Sequence, residues 1–148
     1  MAARLAIALI AGSVLFALFK DGFGAYLVLV PAEVLGSYAF WQPLTYALIE
    51  GSPLGVIFGA MIVWSVGRSL EASWGSRRLL AFALGSTVLA GIATLVVALG
   101  APGVRHMPFF GGTVMTSALW VAFGLVHGRA PINFWGMPLS GNAFALIG

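Results

Sequence analysis

The sequence predicts an all-α polytopic membrane protein: four full transmembrane helices and the start of a fifth, gathered into one bundle. Composition and periodic breaks carry that expectation. Hydrophobic residues make up 61% of the 148 and charged residues only 7%, with a mean hydropathy of +1.05. A soluble domain carries charge on about a quarter of its residues, so water cannot be the solvent for most of this surface. The apolar residues also collect into runs of roughly span length, separated by Gly, Pro and charge. The sequence pI near 10.0 rests on seven dispersed Lys and Arg. Dispersed charges of this kind set membrane topology and do not form a phosphate-binding patch, so nucleic acid is not an expected partner. There is no cysteine, which excludes disulfides, thiol chemistry and zinc-thiolate sites.

The first apolar segment is Leu5 to Phe19, preceded by Arg4. Its basic start and short core also suit a signal peptide, but Lys20-Asp21-Gly22-Phe23-Gly24 offers no small-x-small cleavage site, and a retained helix is expected. Residues 20–43 are too broken by Gly and Pro to span and too apolar for a solvated loop. An interfacial segment anchored by Tyr26, Tyr38, Phe40 and Trp41 is expected there. Ser52-Pro53 starts the second helix, with Ser52 as cap and Pro53 at the first helical position. That helix runs past Arg68 and Glu71, which share one face, to a stop at Gly75 before Arg77 and Arg78. Leu79 to Leu99 makes a third span, and Gly85, Ser86, Ala90, Gly91 and Ala93 thin one side of it. Met107 to Val126 makes a fourth. Ile132 to Pro138 reads as an interfacial turn. Leu139 to Gly148 is apolar but half a span long, so the single domain of residues 1–148 reads as stopping inside a fifth helix, truncated or incomplete at its C-terminus.

The stretch from Trp41 to Arg78 resembles the rhomboid family of intramembrane serine proteases and their inactive relatives. Its matching parts are Leu44-Thr45-Tyr46, the helix carrying Gly55 and Gly59, and the exit Gly67-Arg68-Ser69-Leu70-Glu71 with Trp74-Gly75-Ser76-Arg77-Arg78. In active members this helix carries two histidines and an asparagine that help hold the oxyanion. The resemblance puts those positions on Glu50, Gly55 and Gly59. It puts the nucleophile turn on Gly112-Thr113-Val114-Met115, with Val114 where the serine would stand. Valine has no oxygen with which to attack. The helix that would supply the histidine base is absent from the sequence.

No other residues replace that chemistry on paper. Thr113, Thr116 and Ser117 are the nearby hydroxyls, and His106 and His127 are the two histidines. Ser117 and His127 lie about 15 Å apart along one helix, whereas a nucleophile and its base meet at about 3 Å. The two histidines flank the fourth helix, too far apart to share a metal. Glu50 precedes the Ser52-Pro53 start, where an interfacial, solvated carboxylate is expected; a polar contact within the vacated cavity or with a partner is the alternative. Gly55 and Gly59 suit close helix contact of the small-xxx-small kind, and would equally open a groove for another helix.

The resulting expectation is a non-catalytic, pseudoprotease-type membrane protein that binds transmembrane helices of other proteins, with no cofactor. A structural subunit packed against neighbouring subunits of a larger membrane complex is the alternative, and an active intramembrane serine protease a distant third. With an inward N-terminus, Arg4, Arg68, Arg77, Arg78 and Arg129 lie inside and Lys20 and Arg105 outside. That asymmetry predicts a cytoplasmic N-terminus. A bacterial inner (plasma) membrane is the expected location, with the lipid bilayer as the general partner.

Overall fold

The computed structural model describes residues 1–128, the strand backbones 131–134 and 137–140, and residue 146. Six α-helices are described: α1 (Ala2–Phe19), α2 (Pro31–Gly36), α3 (Gln42–Thr45), α4 (Pro53–Trp74), α5 (Ser76–Gly100) and α6 (Gly112–Val126). Among the described residues, α1, α4 and α5 are long and apolar enough to cross a membrane. At 1.5 Å per residue they measure about 27, 33 and 38 Å, against a hydrocarbon core of about 30 Å.

Each long helix has a local cause. α1 buries Ala2, Leu5, Ala6, Leu9 and Ser13 on one stripe, while Ile7 and Leu18 on its other faces stay exposed. Ala2 and Leu9 are fully buried in the main core, so α1 packs as part of the bundle. α4 begins where expected: the Ser52 hydroxyl oxygen accepts the Gly55 amide at 2.9 Å, with Pro53 at the first helical position. It ends at Gly75, whose φ of 83° and ψ of 158° suit glycine almost alone. α5 follows at once and buries Leu79, Ala83, Thr87 and Gly91 along one line. At its far end the Arg105 guanidinium donates to the carbonyls of Ala98 (2.9 Å) and Leu99 (3.1 Å), satisfying groups that the last turn leaves open. α4 is the central helix, packed by α1 and α6 and more lightly by α5. The core between them includes Leu9, Val63, Leu70, Leu79, Met115 and Leu119.

The expectation of a full fourth span is corrected. α6 has 15 residues and starts at Gly112 instead of Met107, about 22 Å in length. Residues 107–110 are held outside the helix by long-range pairing. Leu29 and Phe109 form an antiparallel bridge, with Phe109 N donating to Leu29 O at 2.9 Å and Leu29 N to Phe109 O at 3.2 Å. Pro108 also disfavours a helical Met107. The amides at the start of α6 are satisfied from outside it: Gly111 N donates to Tyr46 O and Gly112 N to Ile49 O, both at 3.0 Å.

Leu139, expected to open a fifth helix, is paired in a strand instead, and Ile132 to Pro138, expected as an interfacial turn, has strand backbone at its described residues. Pro131–Phe134 and Met137–Ser140 form an antiparallel pair, with Ile132 opposite Leu139 and Asn133 opposite Pro138. Leu139 therefore opens no helix. Residues 141–145 and 147–148, where the rest of that helix was expected, and Arg129 lie outside the described residues.

The connection from α1 to α4 is folded in on the bundle. It contains a 3-10 turn (Phe23–Leu27), α2, α3 and a second 3-10 turn (Tyr46–Leu48). The expected anchors Tyr26, Tyr38, Phe40 and Trp41 are all exposed. Gln42 and Tyr46 are buried, however, and every polar atom on them has a partner. Gln42 Oε1 accepts from Val30 N (2.9 Å), its Nε2 donates to Glu33 Oε2 (2.5 Å), and the Tyr46 hydroxyl donates to the Thr87 carbonyl. Irregular backbone survives at membrane depth only when protein groups satisfy it in this way.

Candidate functional site

The site assembles where the starts of α4 and α6 meet the middle of α1. Glu50 lies two residues ahead of the Ser52 cap and is half-buried. Its amide donates to Ser13 Oγ at 2.9 Å, and that hydroxyl donates in turn to Leu9 O at 2.7 Å. Its carboxylate is held on both oxygens: Oε2 accepts from Thr113 Oγ1 at 2.6 Å, and Oε1 from Gly51 N at 3.1 Å.

Two glycines make room for that carboxylate. A Cβ at Gly55 would fall 2.7 Å from Glu50 Oε1 and Cγ, and one at Gly112 would fall 3.0 Å from Glu50 Oε2 and Cβ. Gly59 faces α6 one turn deeper, where a Cβ would lie 3.2 Å from Thr116 Cγ2 and 3.3 Å from Leu9 Cδ2. The structure thus brings Glu50, Gly55 and Gly59 together with Gly112 and Thr113. Their separation of some sixty residues along the chain is closed by α4 lying against α6.

The remaining members of the turn point elsewhere. Val114 is half-buried, and Met115 is fully buried in the main core. Thr116 is buried and donates to Thr113 O at 2.9 Å. Ser117 lies on a different face of α6, at an apolar groove. Neither histidine joins the site. His106 is exposed in the loop before α6, and the His127 ring at the far end bonds to Phe123 O (3.0 Å) and lies against the Phe123 ring. Among the described residues no three His, Asp or Glu side chains gather as metal ligands would.

Glu50 was expected as a solvated interfacial group; the contact with Thr113 is the alternative that the sequence left open. Sequence reasoning missed Ser13, Gln42 and Thr87, the buried polar residues that hold the site's supports. Their one signal was negative: polar side chains inside apolar segments have to find partners.

The Gly67–Arg77 exit forms a second, separate cluster at the opposite end of α4. A Cβ at Gly67 would lie 3.1 Å from that of Ala2. The Arg68 guanidinium sits 5.5 Å from the Trp64 ring centroid, and Trp74 meets Phe82 edge-on at 5.3 Å. Glu71 turns to the start of α1 and not to Arg68, taking the Met1 ammonium at 2.6 Å, the Ala2 amide at 2.9 Å and the Ser76 hydroxyl. Arg77 and Arg78 are exposed.

Beside the exit cluster an open, apolar groove of about 470 Å³ runs along α6, lined by Ser117, Ala118, Val121, Ala122, Leu125 and Val126 together with Trp74 and Phe82. No curated protein and no solved structure matches the chain. Residues 3–139 match the model of a family described as eukaryotic integral membrane protein (DUF1751), and the chain belongs to that family.

Proposed function

We propose that this chain is a non-catalytic, rhomboid-like membrane protein that binds transmembrane helices of partner proteins. The groove beside α6 carries the reading. α6 is about 22 Å long where the hydrocarbon is about 30 Å thick, so lipid along it must thin, or another element must cover the mismatch. Small side chains at Ser117, Ala118 and Ala122 alternate with Val121, Leu125 and Val126 along the groove, and the small positions let a second helix approach closely enough for dispersion contacts to hold it. The non-catalytic half of the proposal rests on Val114 and on Glu50, which engages Thr113, the hydroxyl beside the serine position.

The family's description is of eukaryotic proteins, which overturns the expectation of a bacterial plasma membrane. The end of the bundle carrying Arg4, Arg68, Arg77 and Arg78 is proposed to face the cytoplasm, since the other end carries Lys20 and Arg105.

A photoreactive residue at Ala118 tests the proposal in cells. Exchangeable adducts with several single-span proteins, lost on Ala122→Trp, are expected. One adduct at fixed stoichiometry would favour the structural-subunit reading, and no adduct would remove helix binding. A fluorophosphonate probe should leave the protein unlabelled. Labelling abolished by Thr113→Ala or Ser117→Ala would bring back the enzyme.

A further inference from the structure

The end of the bundle that carries the loops holds a second cavity, of about 440 Å³, distinct from the Glu50 cluster and the α6 groove. Three segments supply its walls: Phe16 and Lys20 from the end of α1, Val28 and Glu33 from the first connection, and His106 and Phe110 from the loop before α6. The walls are tied to one another through the backbone. The Leu29–Phe109 bridge and a 2.8 Å bond from Ala32 N to Arg105 O join the two loops, so the cavity does not depend on a ligand to draw them together. Phe16 and Phe110, both in its lining, meet edge to face at 5.4 Å.

Its charge pattern is unusual for a boundary of the hydrocarbon. A cation, an imidazole and a carboxylate line one mixed apolar and polar space. The single ion pair among the described residues joins Met1 and Glu71 at the opposite end of the bundle, so Lys20 has no carboxylate partner there. Glu33 is met by one neutral donor, Gln42 Nε2. Lys20 and His106 are exposed and Glu33 is half-buried at this rim, so all three are open to a ligand that carries a phosphate for Lys20 and His106 and a cation for Glu33.

We propose that this cavity binds a phosphoethanolamine group, its phosphate held by Lys20 and His106 and its ammonium by Glu33. A primary ammonium fits better than a quaternary one. A carboxylate uses the N–H donors of the ammonium, whereas choline is recognised by a cage of aromatic faces, and the two phenylalanines here are turned on each other. A phospholipid supplies this group with an acyl chain that can run beside Phe16 into the hydrocarbon. A soluble phosphoethanolamine ester supplies it without one.

Native mass spectrometry of the purified chain, titrated with short-chain phosphatidylethanolamine, phosphatidylcholine and phosphatidylglycerol, tests the proposal. One retained phosphatidylethanolamine is expected, bound more tightly than either other lipid. Lys20→Ala and His106→Ala should each weaken it about tenfold, the loss of one charge-assisted contact. Glu33→Gln should erase the preference for phosphatidylethanolamine over phosphatidylcholine while leaving the phosphate contacts. Unfolding midpoints confirm that each variant is folded; should Lys20→Ala fail, Lys20→Arg retains the charge and should retain binding. Glycerophosphoethanolamine that competes at equal concentration would support the group and assign it to a soluble source, and failure to compete assigns it to a lipid. Equal retention of the three lipids, or a folded Lys20→Glu chain that binds unchanged, would overturn the proposal. The α6 groove is untouched by these substitutions, so this result stands or falls apart from helix binding.

Discussion

The two ends of the bundle solve the problem of turning a chain at a membrane boundary in opposite ways. At the α4–α5 end the turn is one residue long. Gly75 takes a backbone conformation that other residues avoid, α5 starts immediately, and the charged side chains lie within ten residues of one another apart from their contact with α1. At the other end, residues 20–52 and 101–111 make a layer of short helices and turns whose polar groups are satisfied by residues far away in sequence. A tight turn needs an unusual residue. A long irregular connection needs space and partners, and both come from the rest of the fold.

Substitutions that add one methyl group test that contrast most severely. A Cβ at Gly111 would fall 2.8 Å from Ala47 Cα and from Tyr46 O, and one at Gly12 would collide with the Leu48 carbonyl. These neighbours are backbone and cannot rotate away. Gly111→Ala and Gly12→Ala should each cost about 3 kcal/mol in a reversible detergent unfolding assay. Gly85 and Gly100, with open space around them, should tolerate alanine or gain up to about 1 kcal/mol from helix propensity. Equal tolerance at all four positions would show that the loop layer does not sit closely on the bundle.

The next effect lies at the α4–α6 contact. Gly59→Leu must displace Thr116 and Leu9, and about 2 kcal/mol is expected. Leu54→Ala, on an exposed face of the same helix, should change stability by less than about 0.5 kcal/mol. If the two matched, close approach of α4 to α6 would not be what holds the site together.

At the tight turn Gly75→Ala meets no neighbour within 4 Å, so its cost is conformational, about 1–2 kcal/mol. Because the strain is local, the loss should be the same in a chain already weakened by Gly111→Ala. A strong interaction between the two would mean that the ends are coupled. Smallest is Tyr46→Phe, which removes the hydroxyl bonded to Thr87 O and should cost about 1 kcal/mol. Amide exchange should then rise first in residues 42–50. A rise spread evenly over the bundle would argue against that layer as a separate unit.

The same contrast explains how far the candidate site could be read in advance. A family resemblance singled out Glu50, Gly55, Gly59 and Thr113; Gly55 and Thr113 lie against Glu50, while Gly59 faces Thr116 and Leu9 one turn deeper. That the Glu50 carboxylate bonds to Thr113 was not legible, since the two are 63 residues apart and either could have faced water. For Ser13, Gln42 and Thr87 the pattern said only that a partner was needed, not which one. A polar residue in an apolar run looks alike whether it bonds to its own helix or holds a neighbouring segment.

By itself the sequence determined the solvent and the long helices. Charge scarcity, apolar runs, the Ser52-Pro53 start and the Gly75 stop are properties of neighbouring residues, and helix formation depends on those. Only the tertiary structure decided where α6 begins and how the chain continues beyond it. Met107 to Phe110 are as apolar as the helix after them, yet Phe109 pairs with Leu29 across eighty residues, and α6 starts only where Tyr46 and Ile49 offer carbonyls to its first amides. Leu139 likewise pairs with Ile132 instead of opening a helix. Hydropathy measures the transfer of a segment out of water. It carries no information on which remote backbone group will take that segment's hydrogen bonds, and in a membrane that choice sets the helix boundary.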